Sequence, residues 1–415
     1  MVRGNSVIKV YLTLGSNRQF VGRLAIKNRT IYFEYDSAFL SSGIEISPFK
    51  LPLRPEVQQN TDTVFDGLFG VFNDSLPDGW GRLLIDRYLA QDSQVAVSPL
   101  DRLAYIGRHS MGALSYEPDL SPTVDTSAPI NLAAIFRESQ HILRGTVSEL
   151  LPQLLILNSA SAGARPKIMV GVNRGKSQIV YGTDNLEKNF THWIIKFRAL
   201  SDTNDAGNIE YAYSLMAKAA GLEMPPTHLF ITKGQRGFFG VQRFDRHKPN
   251  LKIHVHTASG LLHADHRFPS LDYYNLIKAG WLLTKNIEDV LKLYRMAVFN
   301  VLSHNRDDHA KNFAFCMDEH GLWKVAPAYD LTFSSGPAGE HCMMVSGEVL
   351  NPIKKHFKEL ADKLSLTAKQ ITPIFNEVHE SISQWPRLAK ESHVSNSSTL
   401  LIAKHLKRVK DNWDG

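Results

Sequence analysis

Between Ser303 and Phe313 the chain reads Ser-His-Asn-Arg-Asp-Asp-His-Ala-Lys-Asn-Phe, so carboxylate, imidazole, amine and amide groups share one short loop. Moving a phosphoryl group onto a hydroxyl asks two things of such a loop. One is a carboxylate that orients the hydroxyl and accepts its proton. The other is a hard oxygen ligand for a magnesium ion that offsets phosphate charge. Asp307 can serve as the first and Asn312, five positions on, as the second. Asp308 stands beside Asp307 as a rival base, a supporting acid or a solvated neighbour, and spacing does not choose among these. His309 could brace the loop and Lys311 could reach a γ-phosphate; equally, His309 could serve an internal hydrogen bond and Lys311 could be solvated.

Protein kinases space an aspartate and a metal-binding asparagine in this way. Two short apolar runs, Asn312–Cys316 and Leu322–Ala326, flank Met-Asp-Glu-His-Gly, a hairpin signal. Such a hairpin would return Asp330, in Pro-Ala-Tyr-Asp-Leu, to the side of Asn312 so that both could ligate one magnesium. Upstream, Lys196 ends the apolar stretch Trp193-Ile-Ile, where a strand-borne ammonium can pair with phosphates or simply be an edge charge. Glu210 opens the next predicted helix and could hold that lysine, or could merely offset the helix dipole. The small-residue loop 158–167 would let backbone N–H groups approach phosphate oxygens around Gly163 and Ala164, with Arg165 and Lys167 adding charge. Gln242 and Phe244, in Gln-Arg-Phe-Asp-Arg, stand where a hinge between lobes would meet an adenine ring, or else they belong to a charged strand end. His304 and His309 have no helical His-x3-His partner and no third ligand nearby, so a zinc cluster is not expected.

These groups need elements to hold them. Residues 7–12, 20–24 and 31–35 predict strands separated by turn-forming stretches. A helix is expected from Pro77-Asp78-Gly79 onward, with Leu83, Leu84, Tyr88 and Leu89 on one face. The stretch 117–131 is rich in Pro, Ser, Thr and Asp and reads as a linker. A helical stretch follows over 132–156, then strands near 168–172, 177–181, 193–197, 227–231 and 237–244, with a helix over 210–221 closed by Gly221. Beyond about residue 270 the pattern is helical: Val290, Leu293, Tyr294, Ala297, Val298 and Val301 recur at the spacing of a buried face. Thr367 to Gln370 reads as a capping box, and Leu400, Leu401, His405 and Val409 as the face of a last helix.

The reading is an α+β, bilobal protein-kinase-like fold: residues 1–120 form a small strand-and-helix subdomain, 121–245 a strand-rich lobe with the phosphate loop, and 246–415 an all-helical lobe. With 415 residues, 43% hydrophobic and 21% charged, the chain suits a globular protein of two or three units. No run approaches the ~20 apolar residues of a membrane-spanning helix, and the alternating start does not read as a secretory signal. Two cysteines without a CxxC pairing fit a reducing cytoplasm. A net charge of +6 suits an acidic partner, a nucleotide or DNA without choosing among them.

Taken together, the segments resemble the HipA family of serine/threonine kinases, toxins of bacterial type II toxin–antitoxin pairs. The resemblance runs through the N-terminal strands, residues 72–78 (FNDSLPD), 106–113 (IGRHSMGA), 163–167 (GARPK), 195–197 (IKF), 243–246 (RFDR), 307–312 and 329–330. It implies ATP and Mg2+ as cofactors and Asp307 as catalytic base. It also implies Asn312 and Asp330 as metal ligands, Lys196 as an ATP-phosphate contact, and Gln242 and Phe244 at the adenine hinge. The implied partners are a HipB-like helix-turn-helix antitoxin, DNA only through that antitoxin, and a protein substrate from translation such as an aminoacyl-tRNA synthetase. Two departures stand out: Ala160, between Ser159 and Ser161, takes the place of a self-phosphorylated serine, and Asp308 replaces a frequent glycine. A different class of function, a non-catalytic co-repressor bound to the antitoxin, is the alternative.

Overall fold

The computed structural model describes residues 7–90, 97–124, 129–146, 150–158, 163–182, 186–232, 236–247, 250–265 and 271–415. The first sheet is antiparallel, with strands in the order 58–59, 30–35, 17–27, 7–14, 114–117. Its alternation is clean. Ile8, Val10, Leu12 and Leu14 point inward and their neighbours outward, the period-2 pattern of a sheet with one wet face. The inner face packs on Phe33, Phe69, Phe72, Leu100 and Leu103.

A second antiparallel sheet has the order 179–181, 167–173, 190–196, 238–242, 227–230. Its register sets Lys167 directly across from Lys196. Cross-strand partners share a face, so two ammonium groups are delivered to the same side of the sheet. Two like charges so placed require acids opposite them, and the site described below supplies these.

The helix Ala206–Ala219 crosses this sheet, with the Gly207 Cα so near Gly237 that a Cβ there would lie 2.4 Å from the Gly237 carbonyl oxygen. It starts a full turn before the expected position, after Asp205, so Glu210 lies inside the helix and not at its mouth. Gly221 follows its C-cap at φ +75°, the left-handed turn that glycine accepts without a steric penalty. Residues 132–156 divide into two helices, Leu132–Leu143 and Leu151–Asn158, because Gly145 turns the chain at φ +88°.

The C-terminal lobe is built from the helices Tyr273–Thr284, Ile287–Leu302, Lys354–Lys363, Ala368–Ser383, Trp385–Glu391 and Asn396–Asp411. Its core takes Val290, Leu293, Tyr294, Ala297, Val298 and Val301 from one helix, as the periodicity requires. The Thr367–Gln370 capping box is formed. The last helix faces differently from expectation. Leu400 and Leu401 are 72% and 52% exposed, whereas Ile402 and Leu406 are buried. Its buried stripe runs Ser398, Ile402, Leu406, a narrow i, i+4 seam against its neighbours. The lobe is not all helical as expected: it contains a small antiparallel sheet, His254–Thr257, Ala314–Met317 and Trp323–Val325, and a parallel pair, Leu271–Asp272 with Met343–Met344. The last two strands of the antiparallel sheet are the expected hairpin, and the chemical loop leads into its middle strand, Ala314–Met317. Among the described residues no helix is long and apolar enough to cross a membrane.

Candidate active site

The helix Ile287–Leu302 ends in the hydrophobic core, and the chain leaves it through Ser303 and a left-handed His304 (φ +56°). The loop that follows is stitched to itself. The Asn312 side-chain amide donates to the Asp307 carbonyl at 2.7 Å, which turns the Asn312 amide oxygen away from that bond. The Tyr329 hydroxyl donates to the Lys311 carbonyl at 2.6 Å, and the Phe244 ring lies 5.6 Å from the Tyr329 ring.

The two adjacent aspartates separate by environment. Asp308 is buried and accepts from the Tyr273 hydroxyl (2.8 Å), the Cys342 N–H (2.8 Å) and His341 Nδ1 (3.1 Å). A buried carboxylate engaged by three donors holds the loop in place and is closed off from a substrate. Asp307 is half exposed, with His309 Nε2 3.8 Å from its Oδ1. Burial of its carboxyl raises its pKa; His309 offsets this in part, while Asp330 and Asp308 push the same way as burial. A raised carboxyl pKa is what proton acceptance from a hydroxyl near neutral pH favours.

Three lysines enter one cleft, each matched by acid. Lys196 Nζ lies 2.5 Å from Glu210 Oε1 and 2.5 Å from Asp330 Oδ1. Asp330 adopts φ +56°, which an aspartate tolerates better than a bulkier residue and which aims its carboxylate back at the sheet. Burial alone would raise its pKa, but Lys196 and Lys167 hold it well below the carboxylate range. Burial likewise depresses Lys196, and the two facing acids overcome that and raise it. Lys167, for which burial wins, is depressed. Glu210 is raised by burial against the pull of Lys196. Lys311 Nζ lies 3.0 Å from Asp78 Oδ2.

The cleft is lined by Lys167, Lys196, Gln242, Phe244, Asn312 and Asp330, and His309 and Lys311 reach it as well. Not all of the phosphate loop arrives. Arg165 is committed to Asp202 in a two-pronged ion pair at 2.8 and 3.0 Å. Gly163 does line the cleft, with its N–H given to Asp78, whereas Ala164 is packed beside Gly79. Ser159, Ala160 and Ser161 lie outside the described residues. The charges of the Gln242–Arg246 segment are neither a solvated strand end nor a ligand set. Asp245, fully buried, takes Arg243 at 2.9 and 2.7 Å and Arg246 at 2.7 Å, and also the Gly112 N–H at 2.8 Å. This brace ties the first sheet's neighbourhood to the second sheet.

Sequence reasoning missed Asp74 and Asp78 as parts of the site, both of which line the cleft. Asp74 accepts from the Thr257 N–H and hydroxyl, each at 2.7 Å, and pairs with His256 at 2.6 Å. Both lie in the 72–78 segment that carries part of the family resemblance, but it stands far along the chain from the other site residues and gives no local sign that these two carboxylates reach the cleft.

The Asn312 amide oxygen and the Asp330 carboxylate are hard oxygen donors that fit magnesium, an ion that usually keeps only one or two protein ligands and completes its shell with phosphates and water. Among the described residues no cluster of three or more His, Cys, Asp or Glu is drawn together for a metal held by protein alone.

Two lobes with a lysine–acid cleft at their seam define a kinase-like bilobal protein. The chain belongs to the HipA family: the model of the HipA-like C-terminal domain matches residues 159–385, and that of the HipA N-terminal domain matches residues 12–117. It is similar in structure to a chain of the Shewanella oneidensis MR-1 toxin–antitoxin complex of HipA, HipB and operator DNA. That match has a TM-score of 0.71 at 17% identity and covers 97% of this chain and 95% of that one. Curated relatives include "Putative kinase Y4mE" of Sinorhizobium fredii, 31% identical over 134 residues, and a Haemophilus influenzae protein of like designation, 23% identical over 134 residues. These matches span 28% and 29% of this chain and only 30% and 39% of the relatives' own lengths.

Proposed function

We propose that the chain is an ATP- and Mg2+-dependent serine/threonine protein kinase, the toxin of a HipA/HipB-like pair working in the cytoplasm. The observation that carries this reading is the placement of Lys196 Nζ 2.5 Å from both Glu210 and Asp330, beneath a loop in which Asn312 is tied to Asp307. A strand lysine braced by a helix glutamate, next to a metal-binding aspartate, is the arrangement phosphoryl transfer from ATP uses. Family membership supports it independently.

In this reading Lys196 orients the α- and β-phosphates and Lys167, its register partner, adds charge on the same face. Gln242 and Phe244 border the adenine. Asn312 and Asp330 would hold magnesium, which supplies charge neutralisation on the phosphates. Asp307 orients the acceptor hydroxyl and accepts its proton, and the hydroxyl oxygen forms the new P–O bond as the bond from the γ-phosphorus to the β,γ-bridging oxygen breaks and ADP leaves; positioned proton transfer of this kind contributes roughly 10²- to 10⁴-fold. The acceptor protein proposed is a translation component such as an aminoacyl-tRNA synthetase, on the strength of the family resemblance. DNA is reached through a helix-turn-helix antitoxin, a role supported by the HipB and operator DNA of the similar complex. Such a co-repressor role can coexist with transfer.

The test is nucleotide binding. Titration of ATP with and without Mg2+ should give magnesium-dependent tightening in the wild type and its loss in Asp330→Asn. Equal, magnesium-independent affinity in both proteins would remove Asp330 from the metal site and with it this reading.

A further inference from the structure

The segment Asp78-Gly79-Trp80 begins the helix Gly79–Ala90 in the N-terminal part of the chain, yet it grips both loops of the cleft. The Asp78 carboxylate accepts the Gly163 N–H with one oxygen and lies 3.0 Å from Lys311 Nζ with the other. The Trp80 N–H donates to the Gly163 carbonyl at 3.3 Å, so the peptide groups around Gly163 are held from both sides. Gly79, at φ +42°, allows this approach, because a Cβ there would stand 2.6 Å from the Ala164 Cα. Gly163 itself sits at φ +106°, where a Cβ would lie 2.5 Å from Lys167 Nζ.

We infer that Asp78 is a positioning residue for phosphoryl transfer, through which the N-terminal unit locks the phosphate loop to the catalytic loop. The inference rests on the kinase reading above and deepens it. A lysine ammonium has three N–H donors. Asp78 fixes one of those of Lys311, which leaves the others aimed at the cleft for a terminal phosphate. The Gly163 N–H is consumed by Asp78, so the loop backbone at this point serves as an anchor, and contact with phosphate falls to Lys167, Lys196 and Lys311. Lys311 is only 6% exposed, and without Asp78 no other acid contacts its Nζ among the described residues. Its ammonium would then swing toward whichever acid or phosphate lies nearest.

The test compares wild type, Asp78→Asn, Lys311→Met and the double variant. Transfer of label from [γ-32P]ATP with Mg2+ into a degenerate serine/threonine peptide library gives kcat and KM for ATP. Hydrogen exchange of residues 163–167 is followed without nucleotide. Asp78→Asn should lower kcat about tenfold to a hundredfold, the scale of a misplaced reacting group, with KM for ATP changed less than about threefold. Exchange at 163–167 should accelerate. The double variant should fall no lower than Lys311→Met alone, because the two residues act as one unit. Unchanged kcat per folded molecule, a change confined to KM, or additive losses would overturn the inference. Should the wild type transfer no label, the kinase reading fails, and exchange then decides the latch alone: acceleration in Asp78→Asn keeps it, and wild-type protection removes it.

Discussion

Replacing Lys196 with methionine removes the charge between Glu210 and Asp330 while keeping most of the apolar stem in place. In the wild type this ammonium is 10% exposed and 2.5 Å from each acid, whose side chains are 8% and 28% exposed. Two largely enclosed carboxylates then lose their shared contact cation and keep only the more distant Lys167 and Arg165, and breaking a buried pair in this way costs about 3–5 kcal/mol. The cost depends on pH with a definite sign. In the wild type Asp330 is held below its ordinary pKa, so its contribution is present above the unfolded value and lost as pH falls through the folded one. In Lys196→Met only Lys167 and Arg165 oppose burial and mutual repulsion, so both carboxyls take up protons at higher pH than in the wild type. The native variant therefore binds more protons than the native wild type, and the stability gap between them narrows as pH falls. Urea unfolding followed by tryptophan fluorescence should show the gap between the two proteins near its full value at pH 8 and clearly narrower at pH 5. A gap that is absent at pH 8, or equal at both pH values, would refute the charge arrangement.

Other consequences follow from the same geometry. Asp308→Ala strips three donors of their acceptor and should cost roughly 3 kcal/mol or more in thermal or urea unfolding; a loss under about 1 kcal/mol would contradict the engaged role assigned to it. Gly79→Ala forces a Cβ toward Ala164 from a left-handed backbone and should cost about 1–3 kcal/mol, with weaker nucleotide binding by fluorescence titration. Because desolvation raises the Asp307 pKa, the transfer rate should climb with pH as this carboxyl ionises, at a higher pH than an unperturbed aspartate; a rate already level where an unperturbed aspartate is ionised would show that another group is the base.

Much of this was legible in the sequence, for reasons that differ by residue. The alternation of Ile8, Val10, Leu12 and Leu14 and the helical spacing of Val290 to Val301 are local patterns, and they predicted their own burial. The hairpin after Asn312 was announced by its turn residues. Lys196, Glu210 and Asp330 were named from strand position and family resemblance, but their meeting depends on sheet register and on a crossing helix, which no local window contains. The choice between Asp307 and Asp308 is invisible locally because it is made by Tyr273 and by the adjacent His341 and Cys342, residues from two other stretches. The ion pair that Arg165 makes is equally hidden, because Asp202 lies in a turn beyond the next three strands. Asp78 carried no local signature of its role, since both its partners lie far down the chain.

The central claim, that Asp307 is the base of a phosphoryl-transfer site, is tested most directly by labelled transfer from [γ-32P]ATP–Mg2+ with wild type and Asp307→Gln in parallel, alongside calorimetric ATP affinity. Transfer by the wild type is expected, with a loss of about 10²-fold or more in the variant and ATP affinity within about threefold. Near-wild-type transfer by Asp307→Gln would contradict it.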